Sequence, residues 1–151
     1  MNFAHLHLIL NHVPVLTLIV SLIFLFFSFV KKSERLKKFS LLMTFLTSIT
    51  ILPVFYTGEP AEEVVEKMPM ISKTVIHNHE ESAEVSLVLT LLVSISSLLV
   101  LVTYKKPVSA SYGIQIVLLF GVIAIGSLAY TANLGGKIRH TEFVTDIGNR
   151  V

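Results

Sequence analysis

Apolar residues run in four long stretches along this chain, about Val13 to Val30, Phe39 to Tyr56, Ala83 to Tyr104 and Ser111 to Ala132, and the charged residues crowd into the connections between them. A helix needs roughly 20 apolar residues to cross a hydrocarbon core about 30 Å thick, so each stretch predicts a membrane-spanning helix. The expected fold is therefore all-α, an integral membrane four-helix bundle forming a single domain over residues 1–151. Composition agrees: 53% of the residues are hydrophobic and only 15% charged, outside the balance of a soluble globular domain.

The polar punctuation sets the ends of these helices. Asn11-His12-Val13-Pro14 opens the first span, with Asn11 as an N-cap and Pro14 in the first turn, where a missing N–H costs least. A continuous helix from about residue 4, kinked by Pro14, is the other option, and it would set His5 and His12 on one face with His7 elsewhere. Between the second and third spans, Gly58-Glu59-Pro60-Ala61-Glu62-Glu63 reads as a turn and a short helix from Pro60 to about Met68. Ser72 then caps a third helix that begins outside the membrane, with His77, Glu81 and Glu84 on one face and His79, Ser82 and Ser86 on another. The fourth span carries Gly113, Gly121, Ala124, Gly126, Ser127, Ala129 and Ala132, small residues suited to close helix packing, and ends at Gly135-Gly136, a pair suited to a C-cap or a tight backbone approach. The run Phe24 to Phe29 is expected to face lipid.

Charge gives the orientation. The first connection holds Lys31, Lys32, Arg35, Lys37 and Lys38, and the third holds Lys105 and Lys106, so both are expected to stay cytoplasmic. The acidic middle connection and both termini then lie outside, an N-out, C-out topology with a short extracytoplasmic helix between spans two and three. The first Lys follows the apolar run instead of preceding it, so the N-terminal stretch does not read as a cleaved signal peptide.

That topology gathers all six histidines, His5, His7, His12, His77, His79 and His140, at one face. There is no cysteine, which removes disulfides, thiolate zinc sites, iron–sulfur clusters and covalent haem attachment. Histidines from the start of span one, the start of span three and the end of span four suit a bis-histidine haem b, whose iron takes nitrogens from both faces of the ring. His12 and His79 are the first choice of ligands, then His7 and His140, and the sequence leaves open one haem or two. Lys137 and Arg139 offer cations for propionates, and Tyr56, Glu59 or Glu80 a partner for a ligand's second nitrogen. Two other readings use the same chain: a bare copper, zinc or iron site built from the histidines and glutamates, and a cofactor-free accessory subunit of a larger complex. No HExxH, catalytic triad or phosphate loop is present. Nothing points to nucleic acid, and buried charges that would mark an ion path are absent from the cores of all four spans.

The stretches His5-Leu6-His7-Leu8-Ile9-Leu10-Asn11-His12-Val13-Pro14, Thr57-Gly58-Glu59-Pro60-Ala61-Glu62-Glu63, His79-Glu80 and Ala132-Asn133-Leu134-Gly135-Gly136-Lys137-Ile138-Arg139-His140 together resemble a family of small bacterial four-helix membrane proteins of unknown function. The resemblance covers nearly the whole chain. It implies that His7, His12, His79 and His140, with Glu59 and Gly135-Gly136, form one outward-facing, redox-associated and haem-binding site in a bacterial inner membrane. A quinone or a periplasmic redox protein, or further copies of the chain, are the partners such a site would have.

Overall fold

A computed structural model of the chain describes the backbone of residues 3–67, 72–105 and 107–148, with side chains outside 107–109 and 139–148. It is helical throughout: α1 (Phe3–Leu10), α2 (His12–Val30), α3 (Glu34–Tyr56), α4 (Gly58–Glu66), α5 (Lys73–Val102) and α6 (Pro107–Gly148). Four helical segments are long and apolar enough to cross a membrane; three of the predicted stretches lie within them, and the third overruns its helix, which ends at Val102, by Thr103 and Tyr104. α2 packs on α3, α3 on α5, α5 on α6 and α6 on α2, so the bundle closes. The short helices α1 and α4 pack on each other and cap the acidic end.

The bundle is polar in a restricted way inside and apolar outside. Leu18, Leu25, Leu41, Val93 and Val117 are fully buried, and among the described residues every buried polar one is a Ser or Thr: Ser21, Ser28, Ser40, Thr44, Thr47, Ser86, Thr90, Ser94 and Ser97. Lipid tails are as apolar as leucine, so helices in a bilayer associate through small residues that let backbones approach and through hydroxyl bonds. Thr90 and Ser40 donate to carbonyls one turn earlier, Ser94 donates across to the Thr44 carbonyl at 3.1 Å, and Thr44 Oγ1 lies 3.0 Å from Ser21 Oγ. Phe24, Phe26, Phe27 and Phe29 are exposed on the outer surface, while Leu25 and Ser28 between them turn inward. On α6 a Cβ at Gly113 would collide with Val100 and one at Gly121 would stand 2.6 Å from Leu22 Cδ1, whereas Gly126 faces open space. The small-residue face of α6 thus serves contacts with α5 and α2.

The basic turn between α2 and α3 is a Schellman motif. Ser33 N–H donates to the Ser28 carbonyl at 3.0 Å and Lys32 N–H to Phe29 at 3.1 Å, with Lys32 at φ 48° in the left-handed position that glycine usually fills. Ser33 then caps α3, its hydroxyl accepting from Leu36 N–H.

Several expected boundaries moved. Asn11 forms no side-chain cap; its N–H donates to the His7 carbonyl at 2.9 Å, so the chain stays nearly helical from Phe3 through a single turn residue into α2, as in the continuous option. Pro60 is the third residue of α4, which starts at Gly58 and reaches Glu66, and the expected stop near Met68 lies outside the described residues. Ser72 precedes α5 in an extended conformation without a side-chain cap bond. Gly135 and Gly136 are not a C-cap: α6 continues through them to Gly148, and neither has a positive φ.

Candidate functional site

At the acidic end α3 stops at Tyr56 and α4 turns away from Gly58, which leaves the last carbonyls of α3 without partners inside the helix. One of them, Val54 O, accepts from His7 Nδ1 at 3.1 Å and from the Thr57 hydroxyl at 2.9 Å; Thr57 Oγ1 also lies 3.2 Å from that Nδ1. On the opposite side, His79 Nδ1 lies 3.0 Å from the Thr131 carbonyl of α6. A carbonyl only accepts, so in both neutral rings the proton sits on Nδ1 and the lone pair on Nε2. Among the described residues neither Nε2 has a hydrogen-bond partner.

The two rings approach edge to face, with centroids 6.4 Å apart and planes at 85°. Among the described residues no Cα of α1 comes within 8 Å of one in α5 or α6, so the imidazoles reach across an interval that the backbones leave open. Gly135 borders it: a Cβ there would stand 3.2 Å from His79 Cε1. Both rings lie beyond the apolar stretches 13–30 and 83–104. Burial holds His7 below the ordinary histidine range, with the neighbouring His79 adding to the effect, and burial likewise lowers His79.

Behind His79 lies a hydroxyl cluster. Thr131 Oγ1 is 2.6 Å from Ser82 Oγ and 2.8 Å from Ser86 Oγ, and Ser86 Oγ is 2.7 Å from Ser127 Oγ. His79, Ser82 and Ser86 do share the face of α5 that their spacing predicted, and that face meets α6. Glu62 of α4 and Glu80 of α5 form a second polar contact nearby. A hydrogen bond that the protonated Glu62 carboxyl donates to Glu80 raises the pKa of Glu62 to about 7, with burial and the Glu80, Glu66 and Glu59 charges adding to it.

Of the residues singled out in the sequence, the structure brings His7 and His79 together with Gly135, and sets His12 apart. His12 is exposed, its Nδ1 donating to the Leu8 carbonyl at 2.8 Å, and His5 is exposed on α1. His77 faces outward near Glu81, 3.4 Å away. Tyr56 is 74% exposed and Glu59 is exposed on α4. Glu80 acts on His79 through its charge alone, so the groups that orient the two imidazoles are Val54 O, Thr57 and Thr131. Gly136 faces open space, Lys137 follows it on α6, and the side chains of Arg139 and His140 lie outside the described residues. Sequence reading missed Thr57 and Thr131; the one available signal was the His79, Ser82, Ser86 stripe, which requires a polar partner across the interface.

Four helices long and apolar enough to cross a membrane, with His7 of α1 meeting His79 of α5 at one end, define a multi-pass membrane protein in contact with the lipid bilayer. The chain belongs to the family described as predicted membrane protein (DUF2231), whose model matches residues 4–146. No curated protein and no solved structure matches it.

Proposed function

We propose that the protein is a b-type membrane cytochrome in which His7 and His79 would hold one haem. The observation that carries this reading is the pair itself: two imidazoles from different helices, each fixed through Nδ1 by a backbone carbonyl, with both Nε2 lone pairs available. Ligating histidines are commonly held in this way by the second nitrogen. The two rings lie side by side, with centroids 6.4 Å apart.

The donor set favours porphyrin over a bare ion. Among the described residues no three His, Asp or Glu side chains gather to hold a metal, whereas a protein-bound zinc takes at least three protein ligands. A porphyrin brings four nitrogens of its own and asks two of the protein. Gly135 leaves room beside His79, and Lys137 and Arg139 are the cations assigned to the propionates. When bound, haem supplies one-electron chemistry. The chain's own part is to fix both half-buried imidazoles through Nδ1 and to hold a proton on Glu62 nearby. By the positive-inside rule the basic end faces the cytoplasm of a bacterial inner membrane, which sets both termini and the site outside. Electrons would then pass between membrane quinone and an outer partner.

A reduced-minus-oxidised absorption spectrum of the protein in mild detergent, with a pyridine haemochrome assay, tests this. Haem b bands are expected in the wild type and in His12→Ala, and their loss in His7→Ala and in His79→Ala. A colourless wild type that yields copper, zinc or iron without porphyrin overturns the reading.

A further inference from the structure

The opposite, basic end carries a second candidate site. Lys31, Ser33, Arg35, Leu36 and Phe39 line an open cavity of about 420 Å³ where α2 turns into α3. Its lining is mostly apolar, with Phe39 47% exposed along the outer surface of the bundle, and the exposed Lys31 and Arg35 are the cations that border it. The carboxylate nearest in sequence is engaged elsewhere. Glu34 Oε1 lies 2.7 Å from Lys37 Nζ and Glu34 Oε2 accepts from the Tyr104 hydroxyl, while Lys38 Nζ sits 4.8 Å from the centroid of the Tyr104 ring. Among the described residues Lys31 and Arg35 have no carboxylate partner.

We propose that this cavity binds an anionic phospholipid, its phosphate between Lys31 and Arg35 and its acyl chain along Leu36 and Phe39. Three properties select that ligand over a soluble anion. The cavity lies at the junction of an apolar span with its polar turn, the depth at which headgroups reside. Its cations are uncompensated because Lys37 and Tyr104 hold Glu34 away. Its apolar lining continues onto the lipid-facing surface through Phe39, and a free anion has no use for such a lining. Basic pockets at the ends of membrane helices take anionic headgroups for these reasons. The turn also places lysine, not glycine, at the left-handed Lys32, so this corner carries one more cation.

The experiment uses the full-length protein in neutral detergent, titrated with phosphatidylglycerol or phosphatidylcholine and read by native mass spectrometry and thermal melting. Retained phosphatidylglycerol adducts and a higher melting temperature are expected, with no comparable effect of phosphatidylcholine. Lys31→Ala/Arg35→Ala should weaken phosphatidylglycerol binding by roughly fivefold for each charge removed, whereas Lys73→Ala at the acidic end should bind as the wild type does. Lys31→Arg/Arg35→Lys keeps both charges and should bind too, which covers a failure of the alanine variant to fold. Equal binding of the two lipids by the wild type overturns the proposal. So does undiminished binding by a folded alanine variant, and so does inorganic phosphate that stabilises as well as the lipid at equal concentration.

Discussion

Gly135 lies so close to His79 that a Cβ on it would stand 3.2 Å from Cε1 of the imidazole, which is already fixed by the Thr131 carbonyl. The neighbouring Gly136 meets nothing within 4 Å. Gly135→Ala is therefore expected to push the ring by a few tenths of an ångström and, on the cytochrome reading, to lower haem content without loss of helix. Gly136→Ala should keep the wild-type haem content. Equal haem content in the two purified variants would remove Gly135 from the site.

Thr131 and Ser97 predict opposite signs. Thr131→Val removes the hydroxyl shared by Ser82 and Ser86, and the loss should destabilise by about 1 kcal/mol. Ser97 Oγ is buried without a partner among the described residues, so Ser97→Ala exchanges an unsatisfied hydroxyl for a methyl and should leave stability equal or higher. Unfolding midpoints in a single detergent compare the two. A midpoint for Ser97→Ala well below the wild type would mean that the hydroxyl binds something, water included.

At Lys32 a side chain occupies a backbone conformation with φ 48°. The left-handed region costs an ordinary residue roughly 1 kcal/mol relative to glycine. Lys32→Gly should accordingly raise stability by up to about 1 kcal/mol, measured by chemical unfolding, while removing one charge from the basic end.

The Glu62 carboxyl titrates near 7 in the folded protein against an ordinary 4.5. The folded state binds this proton more tightly than the unfolded chain does, so its stabilising contribution is complete below pH 4.5 and is lost as pH rises through about 7. His7 and His79, lowered by burial, act in the opposite direction up to about pH 6.5, so the wild-type melting temperature should fall with pH between about 6.5 and 8. Glu62→Gln, which keeps a donor but cannot ionise, should flatten that slope; an unchanged slope would assign it to other groups.

The sequence by itself determined the four crossing helices, because an apolar run of that length has no stable place in water and a helix satisfies every backbone group within one segment. It also determined which end is basic, through the lysines and arginines of the connections, and that His79, Ser82 and Ser86 share a face, through helical period; the phenylalanines of the Phe24 to Phe29 run are exposed as expected, while Leu25 and Ser28 within it turn inward. Only the tertiary structure decided which histidines meet. His7 and His12 are five positions apart, so one face cannot hold both, and neither residue type nor spacing says which faces inward; the packing of α1 on α4 against the end of α3 turns His7 toward Val54 and leaves His12 exposed. Gly135 reads as a helix end in sequence, where glycine is common, but the approach of His79 from another helix gives it a different use inside α6. The partners of the two imidazoles were illegible for a related reason: Val54 and Thr131 act through main-chain carbonyls, which every residue carries, and the fold alone chooses which of them lie beside a ring.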